Sequence, residues 1–151
     1  MLQTRIDIRV EWSHCDAAQI VYNPHFFSWS ETGVTTLLEA AGFALPSLLA
    51  ADPGCRGVPL VKSEAAFQAP ARFGEDLVLS TTILRLGRSS FDLVHRFTRG
   101  EAPVAEIAQV RVWSAVDPDD PARIRAVAIP DPVRAALQAD RTVEVRTVWS
   151  D

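Results

Sequence analysis

The chain has 151 residues, 48% of them hydrophobic and 23% charged, and its 15 basic and 19 acidic side chains give a formal net charge of −4. This length suits one globular domain over residues 1–151 that buries its core without a metal or disulfide scaffold. No stretch approaches the roughly 20 apolar residues of a membrane span, and an acidic balance without basic runs argues against nucleic acid as a partner. The N-terminus lacks the apolar segment of a signal peptide, so we expect a cytoplasmic protein whose two cysteines are reduced.

The first element along the chain reads as a strand. Residues 3–12 alternate apolar and charged side chains, with Ile6, Ile8, Val10 and Trp12 on one side. We therefore expect a strand with one buried face and one face in contact with solvent.

The clearest helix signal follows a polar segment after this strand. Asn23 is placed as N-cap and Pro24 at the first helical position, where the missing N–H of proline costs nothing. The helix is predicted over residues 24–41, and Gly42 is placed to end it in the left-handed conformation. Apolar residues recur at helical spacing, and small ones such as Gly33 lie near the same side. The pattern indicates a central helix that another backbone approaches closely.

After a short helical piece at residues 45–51, the rest of the chain reads largely as strands. Their predicted ranges are 58–67, 76–86, 90–98, 104–116 and 124–129. Asp131 followed by Pro132 predicts a last helix by the same logic of a cap and a proline. A strand, a long helix and a run of hairpin-linked strands favour an α+β fold, with the helix on one face of an antiparallel sheet.

Polar side chains cluster between the first strand and the long helix, where His14, Cys15 and Asp16 are consecutive. The start of a helix offers unpaired backbone N–H groups and a partial positive charge, which stabilise an oxyanion developing on a carbonyl. Asp16 offers a carboxylate that can act as a nucleophile or as a base on water. The residues alone leave open the simpler interpretation of Asp16 as a turn or capping residue.

Residues 14–26, with the sequence HCDAAQIVYNPHF, resemble the signature of the 4-hydroxybenzoyl-CoA thioesterase family of hot-dog-fold acyl-CoA thioesterases. Residues 58–61 (VPLV) and 86–91 (LGRSSF) resemble the same family, and the order of elements agrees over residues 5–137. The resemblance implies a hot-dog fold, in which a curved antiparallel sheet wraps around one long central helix. It also implies homodimers joined edge to edge, often paired into homotetramers, with active sites between subunits.

The activity that the resemblance implies is hydrolysis of an acyl-CoA thioester, without a metal and without a separate cofactor, since coenzyme A is part of the substrate. Asp16 matches the catalytic carboxylate of the family, and Asn23 matches the residue at the helix start whose backbone N–H polarises the thioester carbonyl. Tyr22 matches an aromatic residue that flanks the site. Arg88 and Ser89 fall where the family places groups that contact the phosphates of coenzyme A, for which the donor fork of an arginine is suited.

Two positions depart from the family pattern. Many relatives have glycine where this chain has Gln19, so the loop backbone is a point of difference and Gln19 is itself a candidate to line the pocket. Relatives often carry Tyr or His at the position of Asn23, so only the backbone role is carried over. Glu31 lies just over two turns into the helix, and a helix carboxylate is catalytic in another branch of hot-dog thioesterases. We expect Glu31 to line the pocket or to face solvent.

The three histidines show no zinc-ligand spacing, so we predict no metal site. His14 and His25 are candidates for hydrogen bonding in the active site, and His95 is expected in the core or at an interface. Cys15 is expected to be an inert small apolar side chain, because no Cys-His-Asn context accompanies it.

Three functions on the same fold stay open at this point. The leading one is hydrolysis of a small or medium acyl- or aryl-CoA. A non-catalytic protein that binds acyl-CoA or another small ligand is the second, and a thioesterase whose donor is an acyl carrier protein is the third. The scarcity of basic clusters argues against docking of an acidic carrier protein.

Overall fold

A computed structural model describes residues 1–146 of the protein. The helices and strands in chain order are β1 (Gln3–Arg9), a single 3-10 turn (Trp12–His14), α1 (Pro24–Ala40), α2 (Leu45–Ala51), β2 (Leu60–Phe67), β3 (Asp76–Leu86), β4 (Ser90–Arg99), β5 (Ala102–Val112), β6 (Ser114–Val116), β7 (Ile124–Ala126), α3 (Asp131–Gln138) and β8 (Thr142–Val145). The α+β class is confirmed, and so are the bounds predicted for α2 and β3.

Six of the strands form one sheet in the order β2-β5-β4-β3-β1-β8, and β6 pairs with β7 separately. All pairs in the large sheet are antiparallel except β8, which runs parallel to β1 with Gln3 opposite Thr142. The sequence analysis did not predict β8, and its expectation of a purely antiparallel sheet is wrong at this edge. After α3 the chain runs along the free edge of β1, and there β8 pairs with β1 in the same direction.

Helix α1 begins and ends near the predicted residues, but it does not begin in the predicted way. Asn23 has helical backbone angles (φ −48°, ψ −39°) and its side chain makes no capping hydrogen bond, so its prediction as a side-chain N-cap is wrong. At the other end Gly42 has φ +88°, and the N–H of Phe43 donates to the carbonyl of Leu38 at 2.9 Å. This glycine-based helix end confirms the predicted stop.

The last helix, α3, differs from its prediction in a similar way. Asp131 lies inside its first turn and Pro130 takes the capping position, so Asp131 is not the cap. An acidic side chain in the first turn still faces the positive end of the helix dipole. Within residues 1–146 no single helix is long and apolar enough to cross a membrane, whereas α1 and α2 taken as one pair, bent by 63°, meet that length and composition.

Three predicted strand boundaries are corrected by the structure. β1 ends at Arg9, where its pairing with β3 ends, so Trp12 lies in the 3-10 turn with 72% of its surface exposed instead of on a buried strand face. The predicted strand over residues 104–116 is interrupted at Trp113, whose N–H donates to the carbonyl of Ser89 at 2.7 Å. The strand predicted over residues 124–129 is reduced to Ile124–Ala126.

The core between α1 and the sheet consists of two apolar clusters. One surrounds the C-terminal half of α1 and includes Leu2, Val34, Leu37, Leu38, Ile83, Phe91, Leu93 and Trp113. The other surrounds the N-terminal half and includes Ile6, Val10, Phe26, Trp29, Leu79, Phe97 and Ile107. Between them α1 approaches the sheet most closely at Gly33, where a Cβ atom would lie 2.4 Å from Oγ1 of Thr81. This contact confirms the expected close approach at a small residue.

Candidate active site

The polar segment before α1 forms a narrow hairpin, which we call the 14–22 loop. The N–H of Tyr22 donates to the carbonyl of His14 at 2.9 Å, Cys15 bridges to Val21, and the N–H of Asp16 donates to the carbonyl of Ile20 at 3.0 Å. These main-chain bonds satisfy the backbone of the loop without using its polar side chains. The side chains near the tip are therefore left available for other partners.

Gln19 occupies a left-handed backbone conformation at the tip of the 14–22 loop. Its φ of +63° is the one positive value outside glycine in residues 1–146. A residue with a Cβ atom takes this conformation at a cost of about 1 kcal/mol, whereas glycine takes it without that cost. In this chain the turn is present, with the N–H of Gln19 donating to the carbonyl of Asp16 at 2.9 Å.

The carboxylate of Asp16 is exposed at the tip of the loop. Its Oδ1 accepts the N–H of Ala18 at 2.8 Å, which closes a local turn, and Oδ2 has no hydrogen-bond donor within residues 1–146. The carboxylate lines a groove of about 470 Å³ that we call the Asp16 groove. Trp12 and Phe73 form an edge-to-face pair on that groove, with ring centroids 5.7 Å apart. An oxygen without a donor is thus presented beside an exposed aromatic surface.

The start of α1 faces a second, adjacent groove of about 370 Å³, which we call the Asn23 groove. Asn23 lines it together with Phe26 and Phe67. The backbone N–H of Asn23 has no acceptor in the part of the chain that the structure describes, while its carbonyl accepts the N–H of Phe26 at 3.1 Å. An N–H at a helix start with no acceptor is the kind of donor that an oxyanion requires.

The two grooves lie on either side of the 14–22 loop. A hydrogen bond of 2.8 Å from the N–H of Val21 to the carbonyl of Ala71 fixes the loop to the segment that borders both grooves. The single chain therefore brings Asp16 and Asn23 onto one short element but not into one groove. Tyr22 lies between them in sequence, with 54% of its surface exposed.

His14 and His25 belong to an aromatic cluster on the inner side of the loop. Their ring centroids are 5.0 Å apart, and His14 also packs edge to face on Trp29 at 5.1 Å. The N–H of Glu11 donates to Nδ1 of His14 at 2.9 Å, so the proton of the neutral ring is on Nε2. Burial lowers the pKa of His14, the neighbouring His25 lowers it further, and Glu11 acts in the opposite direction.

Arg88 and Ser89 lie in the turn between β3 and β4, at the end of β3 opposite the Asp16 groove. The eleven residues of β3 span roughly 35 Å at the usual rise of a strand, so one chain does not bring this turn to Asp16. The guanidinium of Arg88 has no acidic partner among the described residues. Arg134 holds the turn by donating to the carbonyls of Gly87 at 2.6 Å and Arg88 at 3.0 Å.

Glu31 is half-exposed on α1, and it is not a free carboxylate. One of its oxygens accepts a hydrogen bond from the guanidinium of Arg111, a side chain that is only 4% exposed. The expectation that Glu31 faces solvent is therefore met only in part, because its other oxygen alone has no donor within residues 1–146. In that same range no three histidine, cysteine, aspartate or glutamate side chains are grouped so that they could hold a metal ion, and both cysteines are free thiols.

Comparison with known proteins identifies the family. Residues 10–137 match the family model of the Thioesterase-like superfamily. The chain belongs to this superfamily. This thioesterase-like chain is 27% identical over 127 residues to the 4-hydroxybenzoyl-CoA thioesterase of Pseudomonas sp. (strain CBS-3), a match that covers 81% of this chain and 88% of the relative. It is 28% identical over 141 residues to a 1,4-dihydroxy-2-naphthoyl-CoA hydrolase of Synechococcus sp. (strain WH7803), with 87% and 86% covered.

Solved structures of thioesterases show the same fold. The Pseudomonas 4-hydroxybenzoyl-CoA thioesterase has a TM-score of 0.79 at 24% identity and covers 89% of this chain and 98% of its own. A gentisyl-coenzyme A thioesterase has a TM-score of 0.73 at 29% identity, with 88% and 98% covered. The predicted family, its hot-dog fold and the class of thioester hydrolase are confirmed by these matches.

One feature of this thioesterase-like core was missed by the sequence analysis: a row of polar side chains that we call the buried network. Thr81 Oγ1 lies 2.9 Å from His95 Nδ1, His95 Nε2 lies 3.2 Å from Gln109 Oε1, and Arg111 Nε donates to that same oxygen at 3.0 Å. Glu31 is its exposed end. Alternation along β5 carried the signal, because positions 109 and 111 share the inward face with Ile107.

The position of His95 in the core is confirmed, since the side chain is fully buried. Burial lowers the pKa of His95 to about 4, the hydrogen bond to Gln109 opposes this shift, and the charge of Arg111 adds to it. The ring is therefore neutral at physiological pH and serves as a hydrogen-bonding group rather than as a charge.

Proposed function

We propose that this protein is an acyl-CoA thioesterase that hydrolyses a small or medium acyl- or aryl-CoA with the carboxylate of Asp16. The observation that carries the proposal is that one short segment, residues 16–23, carries both a carboxylate oxygen without a donor and the free N–H of Asn23 at the start of α1. A carboxylate supplies the nucleophile or the base, and the N–H stabilises the negative charge that develops on the carbonyl oxygen.

Two courses of the reaction use these groups. In the first, an oxygen of Asp16 adds to the thioester carbon, the C–S bond breaks, and water then hydrolyses the resulting mixed anhydride to release the acid and restore the carboxylate. In the second, Asp16 takes a proton from water while the water oxygen adds to the same carbon, and the proton passes to the departing thiolate. Both consume one water and yield a carboxylic acid and the free thiol of coenzyme A.

We further propose that the working site forms between subunits of a homodimer or homotetramer. The Asp16 groove and the turn with Arg88 lie at opposite ends of β3, so an extended coenzyme A needs the turn of another chain for its phosphates. Strand β2 supports an edge-to-edge dimer, because it is the outermost strand on one side of the sheet. Leu60, Val61 and Phe67 on it are 45%, 62% and 45% exposed, and an exposed apolar edge strand favours pairing with a second chain.

An aromatic acyl group is the first choice of substrate for this site. The relatives named above act on 4-hydroxybenzoyl-, 1,4-dihydroxy-2-naphthoyl- and gentisyl-CoA. The edge-to-face pair of Trp12 and Phe73 gives the Asp16 groove an aromatic surface of its own. Gln19 and Tyr22 on this loop, and His25 shortly after it, are proposed to contact the acyl thioester.

The test is release of free thiol from a panel of aromatic and aliphatic acyl-CoAs, which compares the wild type with Asp16→Asn. Asparagine keeps the Oδ1 that accepts the Ala18 N–H but is neither a nucleophile nor a base, so we expect turnover to fall about 100-fold or more. Asp52→Asn is the matched control, because Oδ1 of Asp52 accepts the N–H of Gly54 at 2.9 Å in the same kind of turn. Equal turnover by Asp16→Asn and wild type would contradict the role of Asp16.

The same panel separates the other two functions. Tight binding of acyl-CoA without turnover of any substrate would favour a non-catalytic binding protein. Activity confined to substrates on an acyl carrier protein would favour the carrier protein as donor.

A further inference from the structure

The buried network crosses the inner face of the sheet directly beneath α1. It passes from Thr81 on β3 through His95 on β4 to Gln109 and Arg111 on β5, and each of these side chains is at most 4% exposed. It separates the two apolar clusters of the core and reaches the surface at Glu31. Burying four polar side chains in an otherwise apolar core costs free energy unless each one is hydrogen-bonded.

The direction of every hydrogen bond in the network is fixed by Arg111. An arginine only donates, so the Gln109 atom that faces its Nε must be the amide oxygen. The same oxygen faces Nε2 of His95, which must therefore carry the proton of the neutral ring. Nδ1 of His95 is then an acceptor, and the hydroxyl of Thr81 donates to it. One arrangement of protons satisfies the whole row.

The guanidinium of Arg111 is held at three points. Its Nε donates to Gln109, one terminal nitrogen donates to the carbonyl of Val58 at 3.2 Å, and the other donates to Glu31. A permanent charge that is 4% exposed needs an anion next to it, and Glu31 is the one acidic partner that the structure gives it. The carboxylate of Glu31 is thereby held in one place on the outward side of α1.

The same network fixes the helix that carries Glu31. At Gly33, two residues further on, a Cβ atom would lie 2.4 Å from Thr81 Oγ1 and 3.1 Å from His95 Nδ1. Helix α1 therefore rests directly on the network. Asn23, at the start of the same helix, lies eight residues before Glu31, which is about 12 Å along the axis. The depth of α1 and the orientation of Glu31 are thus set by the same side chains.

We propose that Arg111 is a positioning residue of the thioesterase site, which acts through Glu31 and is itself held by Gln109 and His95. Resting on the proposed function, this inference assigns to Glu31 a fixed, half-exposed carboxylate about 12 Å along α1 from Asn23, with one oxygen free to meet the acyl group. Loss of the fixation weakens binding of the acyl-CoA without removing Asp16 or the N–H of Asn23. It therefore raises KM and leaves kcat nearly unchanged.

The test is a double-mutant cycle with Arg111→Lys and Glu31→Gln, measured on the best substrate of the panel. Lysine keeps the charge but loses the three-point fork, and glutamine keeps one acceptor but loses the charge. Each single variant is expected to raise KM about tenfold, the effect of roughly 1.4 kcal/mol, with kcat within about threefold of wild type. Because Arg111 acts through Glu31, the double variant is expected to match Glu31→Gln alone.

Arg96→Lys is the matched control, since Arg96 pairs with Glu106 at 2.8 Å on neighbouring strands but both side chains are about half exposed. Its KM is expected to equal that of wild type. Gln109→Asn withdraws the oxygen that holds Arg111, and it replaces Arg111→Lys in the cycle if that variant does not fold. The ¹⁵N shifts of the His95 ring give a further readout, with the proton expected on Nε2 in wild type.

Several results would overturn the inference. The first is a KM of Arg111→Lys equal to that of wild type, and the second is a double variant whose rise in KM is the product of the two single rises. The third is a rise of KM in Arg96→Lys as large as in Arg111→Lys, and the fourth is a proton on Nδ1 of His95. Turnover by wild type together with any of these results removes the inference and leaves the proposed function standing. Absence of turnover by wild type on every thioester removes both.

Discussion

The 14–22 loop and the buried network are two polar regions that satisfy their hydrogen bonds in opposite ways. In the 14–22 loop the backbone satisfies itself, so the carboxylate of Asp16 is exposed with one oxygen uncommitted. In the buried network the side chains satisfy one another, and His95 is neutral because burial opposes its charge. In the loop, the backbone groups bond to one another and leave the Asp16 carboxylate available. In the network, the buried side chains are enclosed by hydrogen-bond partners and none of them is left available.

The comparison predicts that changes in the buried network affect stability first, and that changes in the loop affect activity first. The largest effect on stability is expected for Arg111→Met, which leaves the carbonyl of Val58 without its donor and Gln109 with His95 as its one remaining donor. We expect the free energy of unfolding to fall by about 3 kcal/mol, the upper end of the cost of leaving a buried polar group without its donor, since the Glu31 carboxylate that loses its partner is itself half-exposed. Urea denaturation followed by tryptophan fluorescence measures this change.

Arg96→Met is the control for that measurement, because exposed ion pairs such as Arg96 with Glu106 contribute about 0–1 kcal/mol. A combined Arg111→Met, Glu31→Met variant removes both charges and is expected to recover part of the loss. An equal loss in Arg111→Met and Arg96→Met would mean that the buried network is no more critical than the surface.

The second prediction concerns pH and contrasts His95 with His14 of the loop. The pKa of His95 in the folded state, about 4, lies below the ordinary value of 6.5, so its contribution to stability is complete above pH 6.5 and is lost as pH falls toward 4. The full shift corresponds to about 3 kcal/mol. The free energy of unfolding of wild type, relative to His95→Gln, is expected to decline by this amount over that window.

His14 supplies the internal contrast for this measurement. Its pKa is also lowered by burial, but its side chain is half-exposed, so water screens much of the effect. The pH dependence of His14→Gln is therefore expected to stay close to that of wild type. A larger change in His14→Gln than in His95→Gln would reverse the proposed contrast between the loop and the core.

The third prediction tests the contact between α1 and the buried network. In Gly33→Ala the new methyl group meets the hydroxyl of Thr81, which is already committed to His95. Either α1 moves away from the sheet or the hydrogen bond breaks, so we expect a loss of about 2 kcal/mol in the free energy of unfolding. Thr32→Ala, on the exposed face of the same helix, is expected to change it by less than about 0.5 kcal/mol. Similar values for both variants would contradict the close packing.

Sequence reasoning succeeded where the signal is local. Pro24 and Gly42 bound α1 through their own backbone preferences, and β3 has the predicted bounds because its β-favouring residues are flanked by turns. The resemblance placed Asp16 and Asn23 on one short element for the same reason, since both lie within a few residues of a helix start. The reactive roles of these two residues stay predictions.

Sequence reasoning failed where partners are distant along the chain. Trp12 continued the alternation of β1, but the strand stops where β3 has no further residue to pair with it. The four residues of β8 carry too little pattern to be recognised before their place beside β1 is known. The roles of Gln109 and Arg111 could not be predicted, because their partners come from other strands and from α1.

The smallest predicted effect lies in the loop, at Gln19. Gln19→Gly removes about 1 kcal/mol of strain from the left-handed conformation, but it also raises the conformational entropy of the unfolded chain. We therefore expect a net gain of about 0.5 kcal/mol in the free energy of unfolding. Gln68→Gly is the control, because Gln68 has no positive φ and glycine there is expected to lower stability by up to about 1 kcal/mol. Thermal denaturation of both variants decides the sign, and a loss at position 19 as large as at position 68 would show that the glutamine side chain itself stabilises the turn. A gain at Gln19 alone would mean that the loop holds a strained backbone in the folded state.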